Sequence, residues 1–135
     1  MALPNILHAA HNFCKPFELF MVVDGDDYLL GKQVFKLFSS AFYESKCWVA
    51  YSNFLTASGK VGYSRPYPSS VTENAEFRRV MFVISHLRVF YTKLITLIDE
   101  IDLKDEEGNW LRAANDVAIY MPVLEMSQHK IIYIR

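Results

Sequence analysis

Three aspartates stand within four residues in the stretch DGDD, directly after the apolar run ELFMVV. Carboxylates this close together repel one another unless a cation or a proton relieves the repulsion. Hard divalent cations such as Mg²⁺ and Mn²⁺ prefer oxygen ligands, and in proteins they commonly bind one or two carboxylates together with the phosphates of a substrate. The stretch therefore predicts a Mn²⁺ or Mg²⁺ site in which Asp24 and Asp26 are the protein ligands.

The D-x-D spacing also allows a simpler interpretation. In an extended backbone, Asp24 and Asp26 would point to the same side, and Gly25 would leave room for an approaching ligand. D-G dipeptides are also common in solvated turns, and Asp27 in particular fits the first residue of a following helix. Both interpretations remain open from these residues alone.

A phosphatase is a further alternative for the same residues. Haloacid-dehalogenase-type phosphatases also place D-x-D after a hydrophobic strand, and Asp24 would then be the nucleophile and Asp26 the general acid. Tyr28 stands where that pattern usually has Thr or Val, and no later strand ends in paired aspartates. This alternative accounts for fewer of the motifs in the chain.

The elements that would position these residues follow from apolar spacing. In the first half we expect a helix in NILHAAHNF, a strand in ELFMVV, a helix over Leu29 to Glu44, and a strand in CWVAYSNF. Residues 64–80 read as a surface loop with at most a short helix. The segment SHLRVFYTKLITLID then has the spacing of a long helix, with Leu87, Phe90, Tyr91 and Leu94 on one side.

In the last third of the chain, the sequence predicts a helix over residues 115–127 and a final strand in KIIYI. Pro122 should kink or shorten that helix. Alternation of strands and helices indicates an α/β domain with a mixed sheet flanked by helices. In such domains ligands bind beyond the carboxyl ends of strands, which is where the aspartates stand.

Composition limits the class of protein. A length of 135 residues, 52% of them hydrophobic and 15% aromatic, suits one domain with a buried core. The net charge of −1 gives no long-range attraction to nucleic acid or to an anionic membrane. The two cysteines are too far apart for a CxxC motif, and the chain has neither a signal-peptide pattern nor a transmembrane segment, so we expect a cytoplasmic location.

Four segments taken together resemble the second half of the catalytic domain of family-two glycosyltransferases. They are ELFMVVDGDDYLLGKQVFKLF, WVAYSNF, FVISHLRVFYTKL and GNWLRAANDVAIYMPVLEMSQHKIIYI. The resemblance covers nearly the whole chain. It implies a GT-A fold, a nucleotide-sugar donor, a divalent metal ion, an acceptor hydroxyl and inversion at the anomeric carbon.

The resemblance also implies roles for individual residues. Asp26 would bind the metal that bridges the two donor phosphates, and Asp24 would help to hold the ribose or the metal. Asp116, in AAND, matches the catalytic base, and the positive end of a helix would favour its ionised form, although a plain N-cap is the alternative. Apart from the resemblance, His86 and Arg88, in SHLRVF, can both donate to anionic oxygens and could therefore contact the donor phosphates or the acceptor, with an ordinary cap or packing role at a helix start as the alternative for His86.

Several departures from the family pattern lead to further expectations. Asn115 stands where the family often has Glu, and the Q-x-x-R-W signature of chain-extending synthases is absent. The family's leading strands, with the aspartate that reads the nucleotide base, are not represented. We therefore expect residues 1–135 to form a partial GT-A domain that exposes a sheet edge at ELFMVV and is either marginally stable or self-associates through that edge. A non-catalytic remnant of such an enzyme remains the alternative.

Overall fold

The computed structural model describes residues 2–135, which form nine helices and strands besides short 3₁₀ segments. The helices are α1 (Ala2–Phe13), α2 (Val34–Ser45), α3 (Ser69–Glu73), α4 (Thr92–Thr96) and α5 (Asn115–Ser127). The strands are β1 (Leu19–Val22), β2 (Val49–Tyr51), β3 (Arg88–Tyr91) and β4 (Ile131–Tyr133).

The four strands form one mixed sheet in the order β1-β3-β2-β4. The central strand β3 is antiparallel to both β1 and β2, whereas β2 and β4 are parallel. Helices cover both faces of this sheet. The expected α/β class, with a mixed sheet flanked by helices, is therefore confirmed.

The long helix expected over residues 85–99 is wrong. Its first half is the central strand β3, and only the short helix α4 follows. Val89 and Phe90 point to opposite faces of the sheet, and each is fully buried against a different layer of helices. Because β3 is buried on both faces, Val89, Phe90 and Tyr91 follow one another without a polar residue between them. A continuous apolar run of this kind fits helical spacing as well as it fits a strand.

Two layers of side chains pack against the sheet. On one face, Phe90 contacts a core built with α1, α4 and α5. On the other face, Val89 and Ala50 pack against Phe38 and Phe42 of α2. Side chains alternate along a strand, so Arg88 lies on the same face as Phe90 and is directed toward α5. Arg88, the most buried charged residue of the candidate site, therefore lies between the sheet and α5.

The remaining expected elements are present with shifted bounds. Helix α2 begins at Val34 rather than Leu29, so the acidic stretch is followed by a longer loop than expected. The loop at residues 64–80 contains only the short helix α3 and one 3₁₀ turn over Phe77–Arg79, which agrees with the expected loop. Helix α5 continues through Pro122 to Ser127, so the proline does not end it. No helix in residues 2–135 has the length and apolar character needed to cross a bilayer.

Candidate metal centre and active site

The DGDD stretch forms a tight turn at the end of β1. The backbone N–H of Asp27 donates to the carbonyl of Asp24 at 3.0 Å, and Gly25 and Asp26 are the two central residues. The extended backbone expected for the D-x-D pair is therefore not present. A turn of this kind brings its first and fourth residues together, so Asp24 meets Asp27 rather than Asp26.

His86 reaches both of these aspartates from the loop that precedes β3, the strand paired with β1. In the antiparallel pairing of β1 and β3, Val22 lies opposite Arg88, and two more residues along the same register place Asp24 opposite His86. Nε2 of His86 lies 2.8 Å from Oδ2 of Asp24, and Nδ1 lies 3.6 Å from Oδ2 of Asp27. His86 is thus in a loop before a strand and not at the helix start expected from the sequence.

These three side chains have the composition of a metal site. One ligand atom from each of Asp24, Asp27 and His86 can be chosen so that all lie within 4.8 Å of one another. Two carboxylates and an imidazole suit Mn²⁺, and the carboxylates also suit Mg²⁺. All three side chains are at least partly exposed, so an ion and a phosphate ligand can approach from solvent.

The contacts of the imidazole also favour a cation. Each ring nitrogen faces a carboxylate, Nε2 that of Asp24 at 2.8 Å and Nδ1 that of Asp27 at 3.6 Å, so in either neutral tautomer one of them turns its lone pair toward a carboxylate oxygen. Two acceptors that face each other repel, and a bound cation would relieve the repulsion. The donor set therefore fits the implied Mn²⁺ or Mg²⁺ through Asp24, Asp27 and His86.

Arg88 connects this cluster to Asp116. One terminal nitrogen of its guanidinium, Nη2, lies 3.3 Å from Nε2 of His86 and 2.7 Å from Oδ2 of Asp116. The guanidinium also stacks on the ring of Tyr120, 4.6 Å from its centroid. Asp24, His86, Arg88 and Asp116, four of the five site residues expected from the sequence, therefore form one continuous network.

Arg88 is the buried charge of this network. Its side chain is 5% exposed, whereas that of Asp116 is 51% exposed. Burial works to lower the pKa of Arg88, but the hydrogen bond and negative charge of Asp116, with smaller contributions from Tyr120 and Asp24, raise the pKa above its usual value. The guanidinium therefore stays charged. For Tyr120, burial has the opposite effect and raises the pKa, and the positive charge of the neighbouring Arg88 offsets part of that rise.

Asp116 lies in the first turn of α5, at the end of the helix where a negative charge is favoured. The N-cap is Ala114, which adopts a left-handed φ of 55°, and no side chain caps the helix. The N-cap role considered for Asp116 is therefore wrong. The carboxylate of Asp116 is free to pair with Arg88 and still has half of its surface in solvent.

Three polar atoms close to Asp116 are buried without a hydrogen-bond partner in residues 2–135. They are Nε of Arg88, Oδ1 of Asn115 and the hydroxyl of Tyr120. Buried polar groups in proteins are nearly always hydrogen-bonded, so a group of unpaired ones indicates where a ligand or a water molecule interacts. These atoms belong to β3 and to the first turns of α5.

Some expected residues lie outside the network. Asp26 is exposed in the turn, and its carboxylate makes no hydrogen bond or ion pair within the described residues 2–135. Asp27 does not begin a helix, since α2 is preceded by Gln33. The sequence motifs do not single out Asp27 as a ligand. In a D-G-D-D turn, residues i and i+3 lie close together, and this spacing could have indicated Asp27. To use it, one would also have to know that His86 precedes a strand paired with β1.

No protein-family model, no curated protein and no solved structure matches the chain. The geometry of the network and the motifs in the sequence are therefore the basis for assigning a function.

Proposed function

We propose that this chain is a metal-dependent, inverting glycosyltransferase that transfers a sugar from a nucleotide-sugar donor to an acceptor hydroxyl. The observation that carries the proposal is the continuous set of contacts from Asp24 through His86 and Arg88 to Asp116. These contacts link a candidate metal cluster to a candidate base, and the residues come from three separate elements of the fold.

The metal would be held by Asp24, Asp27 and His86. This differs from the Asp24 and Asp26 pair that the resemblance implies, because only the first and fourth residues of the turn lie near His86. When bound, Mn²⁺ or Mg²⁺ supplies positive charge that stabilises a departing nucleoside diphosphate. Without it, three carboxylates in the turn would repel an approaching diphosphate.

Arg88 is suited to hold the charges of the site in place. It stays ionised, its side chain is fixed by stacking on Tyr120, and its Nε has no partner within the described chain. A guanidinium that donates to anionic oxygens forms some of the strongest hydrogen bonds in proteins. In the proposed reaction Arg88 orients the carboxylate of Asp116 and adds positive charge beside the diphosphate.

Asp116 is the proposed general base. The acceptor oxygen attacks the anomeric carbon of the donor sugar while its proton passes to a carboxylate oxygen of Asp116. The bond from the anomeric carbon to the diphosphate oxygen breaks in the same step, and the electron pair leaves with the nucleoside diphosphate. A single displacement of this kind inverts the anomeric configuration. The half-exposed position of Asp116 suits a base that must meet an incoming hydroxyl.

Mn²⁺ binding with pyrophosphate, measured by calorimetry, tests the metal and diphosphate parts of this proposal without requiring a base-reading segment. We expect Asp24→Asn and Asp27→Asn each to weaken Mn²⁺ binding by about tenfold or more, because each removes a charged ligand. Asp26→Asn is the matched control from the same turn and should leave the affinity within about twofold. Equal affinity in all three variants would overturn the proposal.

Turnover separates the enzyme from the non-catalytic remnant. If the chain binds Mn²⁺ and pyrophosphate and also consumes a nucleotide-sugar from a panel such as UDP-glucose, UDP-N-acetylglucosamine and GDP-mannose, the remnant hypothesis fails. Asp116→Asn should then abolish turnover and leave Mn²⁺ affinity unchanged, since Asp116 is not a metal ligand in this arrangement. Metal binding without any turnover would favour the remnant.

A further inference from the structure

A groove lies between helix α1 and the segment of residues 99–110. It has a volume of about 460 Å³ and is lined by side chains of α1 together with Glu100 and Trp110. Clefts of this size commonly bind small molecules or side chains of a partner. The groove shares no residue with the network that runs from Asp24 to Asp116, so it is a second and separate candidate site.

The lining of the groove combines apolar and polar side chains. Pro4, Leu7 and Trp110 are apolar and at least partly buried, whereas His8 and His11 are exposed on α1. Helix α1 contains no Lys, Arg, Asp or Glu, so this wall carries no permanently charged side chain. The electrostatic character of the groove is therefore decided by the opposite wall.

The opposite wall is strongly acidic. Residues 99–107, with the sequence DEIDLKDEE, contain six carboxylates and a single ammonium, that of Lys104. All six acidic residues are exposed. The turn at the end of this segment has a fixed shape, because Oδ1 of Asp105 accepts from the N–H groups of Glu107 and Asn109 at 3.1 and 2.8 Å. Like charges held on one wall produce a negative potential in the groove beside them, which attracts cations.

Lys104 shows how a cation binds at this wall. Its Nζ lies 4.9 Å from the centroid of the Trp110 ring and 3.0 Å from Oε2 of Glu100. An indole face attracts an ammonium or a guanidinium, and a carboxylate beside the ring adds to the attraction. Trp110 and Glu100 also line the groove. The lysine of the chain itself therefore occupies a position that suits a cationic side chain of a partner.

We propose that the groove binds a segment rich in lysine and arginine from another protein, and that one of its cationic side chains takes the place of Lys104. Arginine is best suited, because its planar guanidinium stacks on an indole ring and donates to a carboxylate at the same time. The exchange leaves the position over Trp110 filled. Affinity then comes from the other positive charges of the partner, which meet the remaining carboxylates, and from its apolar side chains, which meet Leu7. The inference is independent of the proposed function.

Fluorescence anisotropy of the labelled peptide RLRRLRRL, measured with the complete chain, tests the proposal. We expect it to bind, with an affinity that falls by about tenfold between about 50 and about 300 mM NaCl. The peptides QLQQLQQL and ELEELEEL should bind at least about tenfold more weakly than RLRRLRRL. No binding of RLRRLRRL would overturn the proposal. Equal binding of QLQQLQQL would also overturn it, because the groove would then accept uncharged apolar segments.

Removal of one carboxylate locates the peptide on the surface. Glu100→Gln should weaken the binding of RLRRLRRL by about fivefold, because it removes the negative charge beside Trp110. Glu44→Gln is the matched control, since it makes the same change of charge at an exposed position on α2, and it should stay within about twofold. Equal effects of the two substitutions would contradict binding in the groove.

The displacement of Lys104 predicts a change in the opposite direction. Lys104→Met should strengthen the binding of RLRRLRRL by about threefold or more, because the peptide no longer has to replace an ammonium over Trp110. Lys46→Met is the matched control, because Nζ of Lys46 lies 4.5 Å from the ring centroid of Tyr43 outside the groove. Both substitutions change the net charge equally. An equal gain in the two variants, or no gain in Lys104→Met, would overturn the proposed exchange.

Discussion

At the scale of single residues, the pairing of Arg88 with Asp116 is unequal. Both ends are charged, but Arg88 is almost completely buried and Asp116 is half exposed. A charge left alone in the interior is strongly unfavourable, whereas a charge left alone at the surface is solvated by water. The two residues therefore differ in what their removal leaves behind.

We expect Asp116→Ala to destabilise the fold more than Arg88→Met. The first change leaves a buried guanidinium without its partner, at a cost of about 3 kcal/mol. The second leaves a hydrated carboxylate and keeps an apolar side chain against Tyr120, so we expect about 1 kcal/mol. Urea unfolding of both variants measures the difference.

The double variant serves as the control for this comparison. Arg88→Met with Asp116→Ala should recover most of the stability lost in Asp116→Ala alone, because no unpaired charge then remains. Removal of the surface pair through Arg78→Met should change the free energy of unfolding by less than about 1 kcal/mol. Equal losses in the two single variants would contradict this view of the pair.

At the scale of elements, the sequence predicts most of the fold but not its central strand. Helices α1, α2 and α5 and strands β1, β2 and β4 follow from apolar spacing, with bounds that shift by a few residues. Strand β3 does not, because a strand buried on both faces loses the alternation that distinguishes it from a helix.

The same limit applies to the candidate site. Motif similarity named Asp24, His86, Arg88 and Asp116, and these residues lie in one network. Asp27, and not the expected Asp26, lies next to His86, and this depends on the turn and on the register between β1 and β3. Register is set by pairing across the sheet, which a local pattern cannot specify when β3 is read as a helix.

Phe90 tests the place of β3 at the centre of the sheet. It is fully buried and contacts Phe20 and Tyr120 on neighbouring elements. We expect Phe90→Ala to lower the free energy of unfolding by about 3–5 kcal/mol, since it leaves a cavity between the sheet and α5. Chemical denaturation measures this change.

Leu97 is the control, because it lies in the same apolar segment but is exposed just after α4. Leu97→Ala should change the stability by less than about 1 kcal/mol. A helix spanning residues 85–99 would place Phe90 and Leu97 on one side together, since they are seven positions apart. Similar losses for the two variants would therefore favour that helix over β3.

At the scale of the whole molecule, β1 is an edge strand of the sheet. One side pairs with β3, and its four residues, LFMV, are all apolar and half-buried. Natural edge strands usually carry a charge, a proline or a bulge that prevents pairing with another chain. Phe17, next to β1, is also strongly exposed.

We propose that the chain self-associates through this edge. Phe17→Lys places a charge beside β1 and should shift the sedimentation coefficient toward that of the monomer at high protein concentration. Phe35→Lys, an exposed phenylalanine on α2, is the matched control and should not change the association. A wild-type chain that sediments as a monomer at every concentration, with a melting temperature independent of concentration, would contradict this proposal.

The most direct test of the account is pulsed EPR of the Mn²⁺-loaded chain, because it identifies the atoms bound to the metal. We predict a nitrogen coupling from one imidazole ligand, which His86→Gln removes and His129→Gln retains. The absence of nitrogen coupling in the wild type, or a coupling that survives in His86→Gln, would contradict a metal held by Asp24, Asp27 and His86.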